Sequence, residues 1–480
     1  MPSTRTQTQS TNPNHETLPE PMRIERLTLR NFRNHGETEI VAAPGLNLIT
    51  GPNGSGKTNL IDAIHYLCMS RSFVMSGDQY VVKNGESYFM VEGDFHGAIR
   101  ASFTVGCNYS RGQGKKMFVN DSPLEKLSDL IGRVPVVVMS PEDLKLTRDG
   151  PVERRSFLDS MISQIDSRYL RNLLDYRRVR KQRNKLLQDA RGRSVAIRGT
   201  LEVWDRQLAE KGAAIIQTRA EMLERLAAYL ATEYQTVSGL MLTPSLHYRT
   251  IAEQWQNTDE LVEIFLRKLA EVRERELERE QTLVGPHRDE IVFRLDDMDI
   301  RKYGSQGQHR LFSMALKLAQ LSVYTDELDD LPILLLDDLF GNLDQQKTET
   351  IVKALARHRG QTFITAASER PYDEGLFRGD ARAANGSGGI GAGGADGDEV
   401  GGSGEADGSG AFDGSGEADG SGEVGGSDGQ DAKDAKDGSG EVDWSGENDR
   451  SELHTMHKWF TVQDGTVRQK FLEEETTDGE

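Results

Sequence analysis

An α/β fold carrying a long helical insertion is what this sequence predicts, on three observations. A strand-like run at Gly45–Thr50 feeds a glycine-rich loop and then a segment with helical apolar spacing, Leu60, Ile64 and Leu67. A second apolar strand, Pro332–Leu336, ends in the adjacent carboxylates Asp337 and Asp338. Between these strand regions, from Pro151 to about Arg279, the chain turns to long charged stretches rich in Arg, Leu, Glu and Ala, as exposed helices do.

The elements follow in order. Residues 1–21 are rich in Ser, Thr, Gln and Pro, lack the apolar stretch of a leader peptide, and are predicted to be disordered. Alternation from Met22 through Ile24 and Leu27 to Leu29 marks the first strand. Short β-rich segments at 80–105 and 116–119 and a strand at Val134–Met139 complete a first half, 22–150. A helical lobe is expected over 151–280, interrupted only near Thr243–Arg249.

The second half, 281–378, begins with a turn at Gly285–Asp289 and a strand at Glu290–Leu295. A loop at Tyr303–Gln308, a helix at Arg310–Tyr324 and the strand at Pro332 come next, then a helix from Gln345 and a strand at Thr362–Thr365. Residues 379–450 repeat units such as GSGEADGSG and are expected to stay disordered, having too little apolar surface to offset the entropy of ordering. In the last segment, 451–480, two strands at Lys458–Val462 and Thr466–Gln469 flank a Gln463-Asp464-Gly465 turn.

Composition agrees with this division. Only 36% of the 480 residues are hydrophobic and the mean hydropathy is −0.58, so part of the chain contributes nothing to a core. The formal charge of −19 is unevenly spread: residues 379–450 hold 18 acids against four bases, and the other 408 residues carry only −5. An anionic partner is therefore not excluded by net charge. Two cysteines, Cys68 and Cys107, form neither a disulfide framework nor metal-ligand spacing. With no run of 18 apolar residues, the expectation is a cytoplasmic chain without a membrane partner.

The chemistry is concentrated in three segments. Gly51-Pro52-Asn53-Gly54-Ser55-Gly56-Lys57-Thr58 fits the P-loop pattern, in which glycines let backbone N–H groups curl around phosphate oxygens at a helix N-terminus. Lys57 would reach the β and γ phosphates of ATP, and the Thr58 hydroxyl would ligate Mg²⁺. At the end of the apolar strand, Asp337 would complete the Mg²⁺ shell and Asp338 would orient or activate the attacking water. Ser305-Gln306-Gly307-Gln308 opens a helix about 30 residues before those carboxylates, the position of the ABC signature loop. That loop would bind the γ-phosphate held by an opposite subunit, so that the site is completed by dimerisation.

Several further segments narrow the resemblance. Leu29-Arg30-Asn31-Phe32-Arg33, Arg71-Ser72-Phe73, Ser140-Pro141-Glu142-Asp143-Leu144, Arg154-Arg155-Ser156-Phe157-Leu158-Asp159, the run Tyr176 to Asn184 and Gly285-Pro286-His287-Arg288-Asp289, together with the P-loop and Ser305–Gln308, resemble the RecF family of bacterial ABC-type ATPases. The resemblance runs from Met22 to about Arg370 and resumes over the terminal strands. It implies an ABC-type head with an inserted helical lobe, a homodimer formed on ATP and slow hydrolysis. It also implies binding to single-stranded and gapped or junction DNA, action with RecR and RecO in loading RecA, and support of the SOS response. Asp344 corresponds to the D-loop. Two departures stand out: Gly341-Asn342-Leu343 replaces the usual Ser-Glu-Leu, and Ala366-Ala367-Ser368 lacks the histidine with which many ABC proteins sense γ-phosphate.

Other residues admit two readings. Eleven Lys and Arg against two acids between Arg168 and Arg198 suit either a solvated helix face or a grip on DNA phosphates. Arg71 could meet a phosphate of ATP or pair with a helix carboxylate. His287 and Arg288 read as a structural turn, and Leu261–Leu283 as helix packing inside the lobe. A rod-forming SMC-type ATPase needs far more helix than the 130 or so residues of the insertion, and a transporter's nucleotide-binding subunit is the other alternative.

Overall fold

In a computed structural model of the chain, residues 21–97, 102–189, 194–339, 358–367 and 457–470 are described, with Ile351 and Leu355. The expected disordered segments 1–21 and 379–450 fall, but for residue 21, outside this set, as do residues 340–350, which include Asp344, and the helix expected from Gln345 apart from Ile351 and Leu355.

Along the chain the described elements are β1 (Arg23–Phe32), β2 (His35–Val41), β3 (Leu46–Thr50), α1 (Lys57–Met69), β4 (Tyr88–His96), β5 (Phe103–Ser110), β6 (Gly114–Val119), β7 (Ser122–Pro123) and β8 (Val136–Met139). Then come α2 (Leu144–Arg148), α3 (Pro151–Ile165), α4 (Ser167–Asp189), α5 (Ser194–Ser238), β9 (Pro244–Arg249) and α6 (Thr258–Arg279). The remainder is β10 (Glu290–Leu295), β11 (Met298–Asp299), α7 (Ile300–Tyr303), α8 (Gln306–Glu327), β12 (Ile333–Asp337), β13 (Thr362–Ala366), β14 (His457–Gln463) and β15 (Thr466–Lys470).

The central sheet has the order β15-β14-β3-β13-β12-β8, parallel except for β15. Its central strands β3, β13 and β12 are buried on both faces, which is why Leu46–Thr50 and Ile333–Leu336 read as continuous apolar runs. Alternation within them divides two cores. Ile49, Ile333, Leu335 and Phe363 pack with α1 and the antiparallel sheet β2-β1-β4-β5-β6-β7. Leu48, Leu334, Leu336 and Ile364 pack on the other face with α8, α3 and the helices of the lobe.

Two local findings depart from the expectations. Residues 244–249 are a strand rather than a bare interruption between helices, and β9 pairs antiparallel with β10 from Glu290↔Arg249 to Leu295↔Pro244. One small sheet, β11-β10-β9, thus joins residues on both sides of the expected boundary at 280. The helix expected from Arg310 begins at Gln306, because Ser305 and Gln308 form a reciprocal capping box. Ser-x-x-Gln is the sequence signature of that cap and overrides the loop character of the glycine between them.

The helices of the lobe are held together by a buried charge cluster. Arg183, counted in the basic run, is fully buried, with Nε 2.7 Å from Asp205, one terminal nitrogen 2.5 Å from Glu276 and the other 2.9 Å from the Thr282 hydroxyl. It is therefore unavailable to any ligand. The inward face of α6, Leu261, Phe265, Leu269 and Val272, is buried at helical spacing, which places the 261–283 repeat inside the lobe.

Candidate nucleotide site

The glycine loop sits where β3 delivers it, between β14 and β13 in the sheet. Helix α1 starts at Lys57 with Gly56 in a positive-φ conformation as its N-cap and no side chain capping it, so the N–H groups of Lys57 and Thr58 are available to an external anion. Gly51 has φ +148°, and an added Cβ would lie 2.2 Å from the carbonyl oxygen of Val462. Nothing lies within 4 Å of a Cβ built on Gly54, and Pro52, Asn53 and Gly54 are exposed at the lip of the loop.

Lys57 is buried inside the loop, its Nζ donating to the carbonyls of Gly51 at 2.7 Å and Pro52 at 2.9 Å. Burial pushes its pKa down, against the pull of Asp338 and Asp337. The Thr58 hydroxyl donates to Asp337 Oδ1 at 2.8 Å, and Thr365 donates to the same oxygen at 2.8 Å. Burial raises the Asp337 pKa, and the two hydroxyl donors oppose that rise by stabilising the anion. Asp338 follows with φ +44°, its N–H held by the Thr365 hydroxyl at 3.0 Å and its side chain exposed. The turn from buried strand to exposed carboxylate thus aims two adjacent acids in different directions, one against Thr58 and one to the surface.

Residues not singled out from the sequence support this loop. Asn34 Nδ2 donates to the Ser55 carbonyl at 2.8 Å, Asn59 Nδ2 donates to Asn34 Oδ1 at 2.7 Å, and His35 Nε2 lies 3.1 Å from the Gly56 carbonyl. From the other end of the chain, Gly465 N–H donates to the Ser55 carbonyl at 2.9 Å. The β14–β15 turn, Asp464 and Gly465 at φ 48° and 74°, is therefore a wall of the loop. An Asn-His pair directly after the Leu29–Arg33 segment was the signal for the first support. Nothing in the sequence pointed to the second, across an acidic insertion. Arg33 itself forms a buried pair with Asp62 at 2.7 Å, and Asp62 also accepts from Ser72 and from the Phe73 N–H.

The Ser305–Gln308 segment is placed apart from the P-loop. Ser305, Gln306 and Gly307 are exposed at the N-terminus of α8, and among the described residues no hydrogen bond joins Ser305–Gln308 to residues 51–58. Gln306 and Gly307 border a recess of about 530 Å³ shared with Arg310, Lys317 and Asp338. Arg71 donates to the Ser160 hydroxyl at 3.3 Å, a hydroxyl rather than the carboxylate considered above. His287 is bonded on both sides, with Nδ1 2.6 Å from the Tyr176 hydroxyl and Nε2 3.1 Å from the Thr282 carbonyl.

A phosphate-binding reading of the loop passes a test of fit. Ser55 Oγ is buried without a hydrogen-bond partner among the described residues, α1 is uncapped, and the Gly51 and Gly56 positions leave no room for a side chain. Among the described residues no cluster of three His, Cys, Asp or Glu side chains is placed to hold a metal. A hydroxyl and a carboxylate 2.8 Å apart instead match the sparse protein ligation of Mg²⁺, whose other positions phosphates and water fill.

Comparison with known proteins agrees with the motifs. The RecF/RecN/SMC N terminal domain profile matches residues 23–376. The chain is 42% identical to the DNA replication and repair protein RecF of Salinibacter ruber, over 74% of this chain and 87% of that protein. The RecF of Chloroherpeton thalassium is 39% identical over 74% of this chain and 97% of its own length. Among solved structures, the recombination mediator protein RecF with ATPγS in the RecFOR pathway superposes with a TM-score of 0.69 at 32% identity, covering 74% of this chain and 94% of that one. Its ATP complex gives 0.72 at 26% identity, covering 95% and 100%. Among the described residues no helix is long and apolar enough to cross a membrane. By profile, by sequence identity and by fold, the chain belongs to the RecF family.

Proposed function

We propose that this chain is an ATP-dependent DNA-binding protein of replication and recombinational repair, a slow ATPase that uses nucleotide to control dimerisation. The observation that carries the reading is the 2.8 Å contact of Thr58 with Asp337, which joins the glycine loop to the two-carboxylate strand. Residues 51–58 would hold the phosphates of ATP, Lys57 meeting the terminal ones, with Thr58 and Asp337 on Mg²⁺. The bound cation would supply neutralisation of phosphate charge. Asp338, exposed beside that pair, would accept the proton of the attacking water. Ser305, Gly307 and Gln308, with Asp344, would meet the nucleotide of a second subunit, and RecR and RecO would be the partners with which this chain loads RecA, as the family resemblance implies.

The test is affinity for a gapped duplex with ATP, with ADP and without nucleotide, with protein mass followed by light scattering in the same samples. Tight binding and a doubled mass are expected only with ATP. Lys57→Ala should weaken ATP binding by about 100-fold through loss of charge-assisted bonds and remove both effects. Asp338→Asn should retain ATP and hold the dimer. If ATP binds while neither mass nor DNA affinity responds, the reading is wrong.

A further inference from the structure

The helical lobe contains a second cationic recess that the nucleotide site does not use. It has a volume of about 270 Å³ and lies between α3, α4, α5 and the turn at 285–289, bordered by Arg155, Arg177, Arg180, Arg219, Asp159 and His287. Three segments that were separate in the sequence meet here: 154–159, 176–184 and 285–289.

Its guanidiniums differ in how far they are matched. Arg219 forms the floor, 2% exposed, and is saturated by Asp159 at 2.8 Å, the Pro286 carbonyl at 2.7 Å and Asp289 at 3.2 Å. Arg155 gives one bond, 2.5 Å to the Asp289 carbonyl, and Arg177 stands 3.7 Å from Asp159. Arg180 is half-buried and has no hydrogen bond or ion pair with any described residue. His287 adds no charge, because burial and Arg180 push its pKa down to about 3. Burial and Arg219 likewise push Arg155 down, the sign expected of cations crowded together.

Four guanidiniums against the two carboxylates Asp159 and Asp289 leave two positive charges without a partner. Half-buried charge is costly unless something of opposite sign completes it. The turn packs closely on the lobe: Gly285 has φ +125°, and a Cβ there would lie 2.5 Å from the Tyr176 hydroxyl and 2.6 Å from the Phe265 ring. The recess is therefore cationic and walled on one side by a closely packed turn.

We propose that this recess binds a terminal phosphate monoester of a DNA strand, a proposal that rests on the DNA-binding reading above. A monoester carries about −1.5 to −2 charges at neutral pH, which matches the two unpartnered positive charges. An internal phosphodiester carries one charge and is held between two sugars at the surface of the strand, whereas a strand end can enter a recess. Arg171, Arg178, Lys181 and Lys185 lie exposed on the same helix, α4, and would meet the adjoining backbone phosphates.

The experiment compares, in the full chain with ATP, two gapped duplexes that differ only in a 5′-phosphate or a 5′-hydroxyl at the gap edge. The phosphorylated end should bind about tenfold more tightly or better, the worth of charge-assisted bonds. In Arg180→Gln and in Arg177→Gln that preference should vanish, while the melting temperature and ATP affinity stay at the wild-type values. Equal affinity for the two ends, with ATP still strengthening both, would overturn the recess and leave the proposed function standing. A 5′-phosphate preference that survives in both variants would also overturn it, by placing the strand end elsewhere. Failure of the wild-type chain to bind either duplex would sink both readings.

Discussion

At residues 51–58 the groups offered to an anion are backbone N–H groups of a glycine loop and an uncapped helix, with a single ammonium, Lys57, folded among carbonyls. In the helical lobe the groups offered are side chains, guanidiniums from three helices that converge on one recess. Backbone donors need close approach, and close approach needs residues without a Cβ at fixed spacing. Guanidiniums reach several ångströms from their own backbone and can be assembled from any sequence order. The first kind of site leaves a local signature in the chain, and the second leaves only an excess of arginine.

Stability should divide along the same line. The largest effect is expected in the lobe, where Arg183→Leu would leave Glu276 buried without its counter-ion and Asp205 with Arg273 alone. Breaking a buried pair from one side costs roughly 3–5 kcal/mol, so chemical denaturation should show a large loss of stability. An unchanged midpoint would mean that the lobe does not depend on this cluster.

Gly51→Ala tests the head in the same way. Its Cβ would meet the Val462 carbonyl in a positive-φ conformation, at a cost of about 1–3 kcal/mol. The damage should appear as a lowered melting temperature together with weakened ATP binding, because the β14 carbonyl and the loop would be driven apart. Weakened nucleotide binding with no thermal shift would show that the terminal hairpin is not a structural wall of the loop.

A smaller effect separates the two regions by pH. Burial, and then Arg180, Arg288 and Arg155, push the His287 pKa down to about 3, so the ring is neutral in the fold, donating from Nε2 to the Thr282 carbonyl and accepting at Nδ1 from Tyr176. In the unfolded chain the group titrates near 6.5, roughly the free value. Between these values the unfolded state binds more protons, so this contribution is complete above about pH 6.5 and is lost as pH falls toward 3. His287→Gln should flatten the decline of melting temperature between about pH 6.5 and 4 relative to wild type. Parallel curves would show that another buried group governs that range.

Much of the head was legible from the sequence because its signals are local. The apolar runs at 46–50 and 333–336, the glycines between 51 and 56 and the paired carboxylates each state their own geometry. The capping box is equally local, Ser305 and Gln308 standing three residues apart, although the glycine between them favours a loop. Strand β9 was obscured because six residues between long helices pair with a partner more than 40 positions away. The basic run 168–198 mixed residues of opposite fate: Arg183 is buried in an ion cluster, Arg180 borders a recess, and Arg178 is exposed.

By itself, then, the sequence determined the α/β class, the position of the glycine loop and the two carboxylates, and the family, since each rests on residues adjacent in the chain. Tertiary structure decided the rest. Pairing of β14 with β3 brings Gly465 to the P-loop, the contact of Thr58 with Asp337 spans 279 positions, and the arginine recess draws on segments from 152 to 287. Electrostatic matching depends on distance in space and on burial, and neither is fixed by position along the chain.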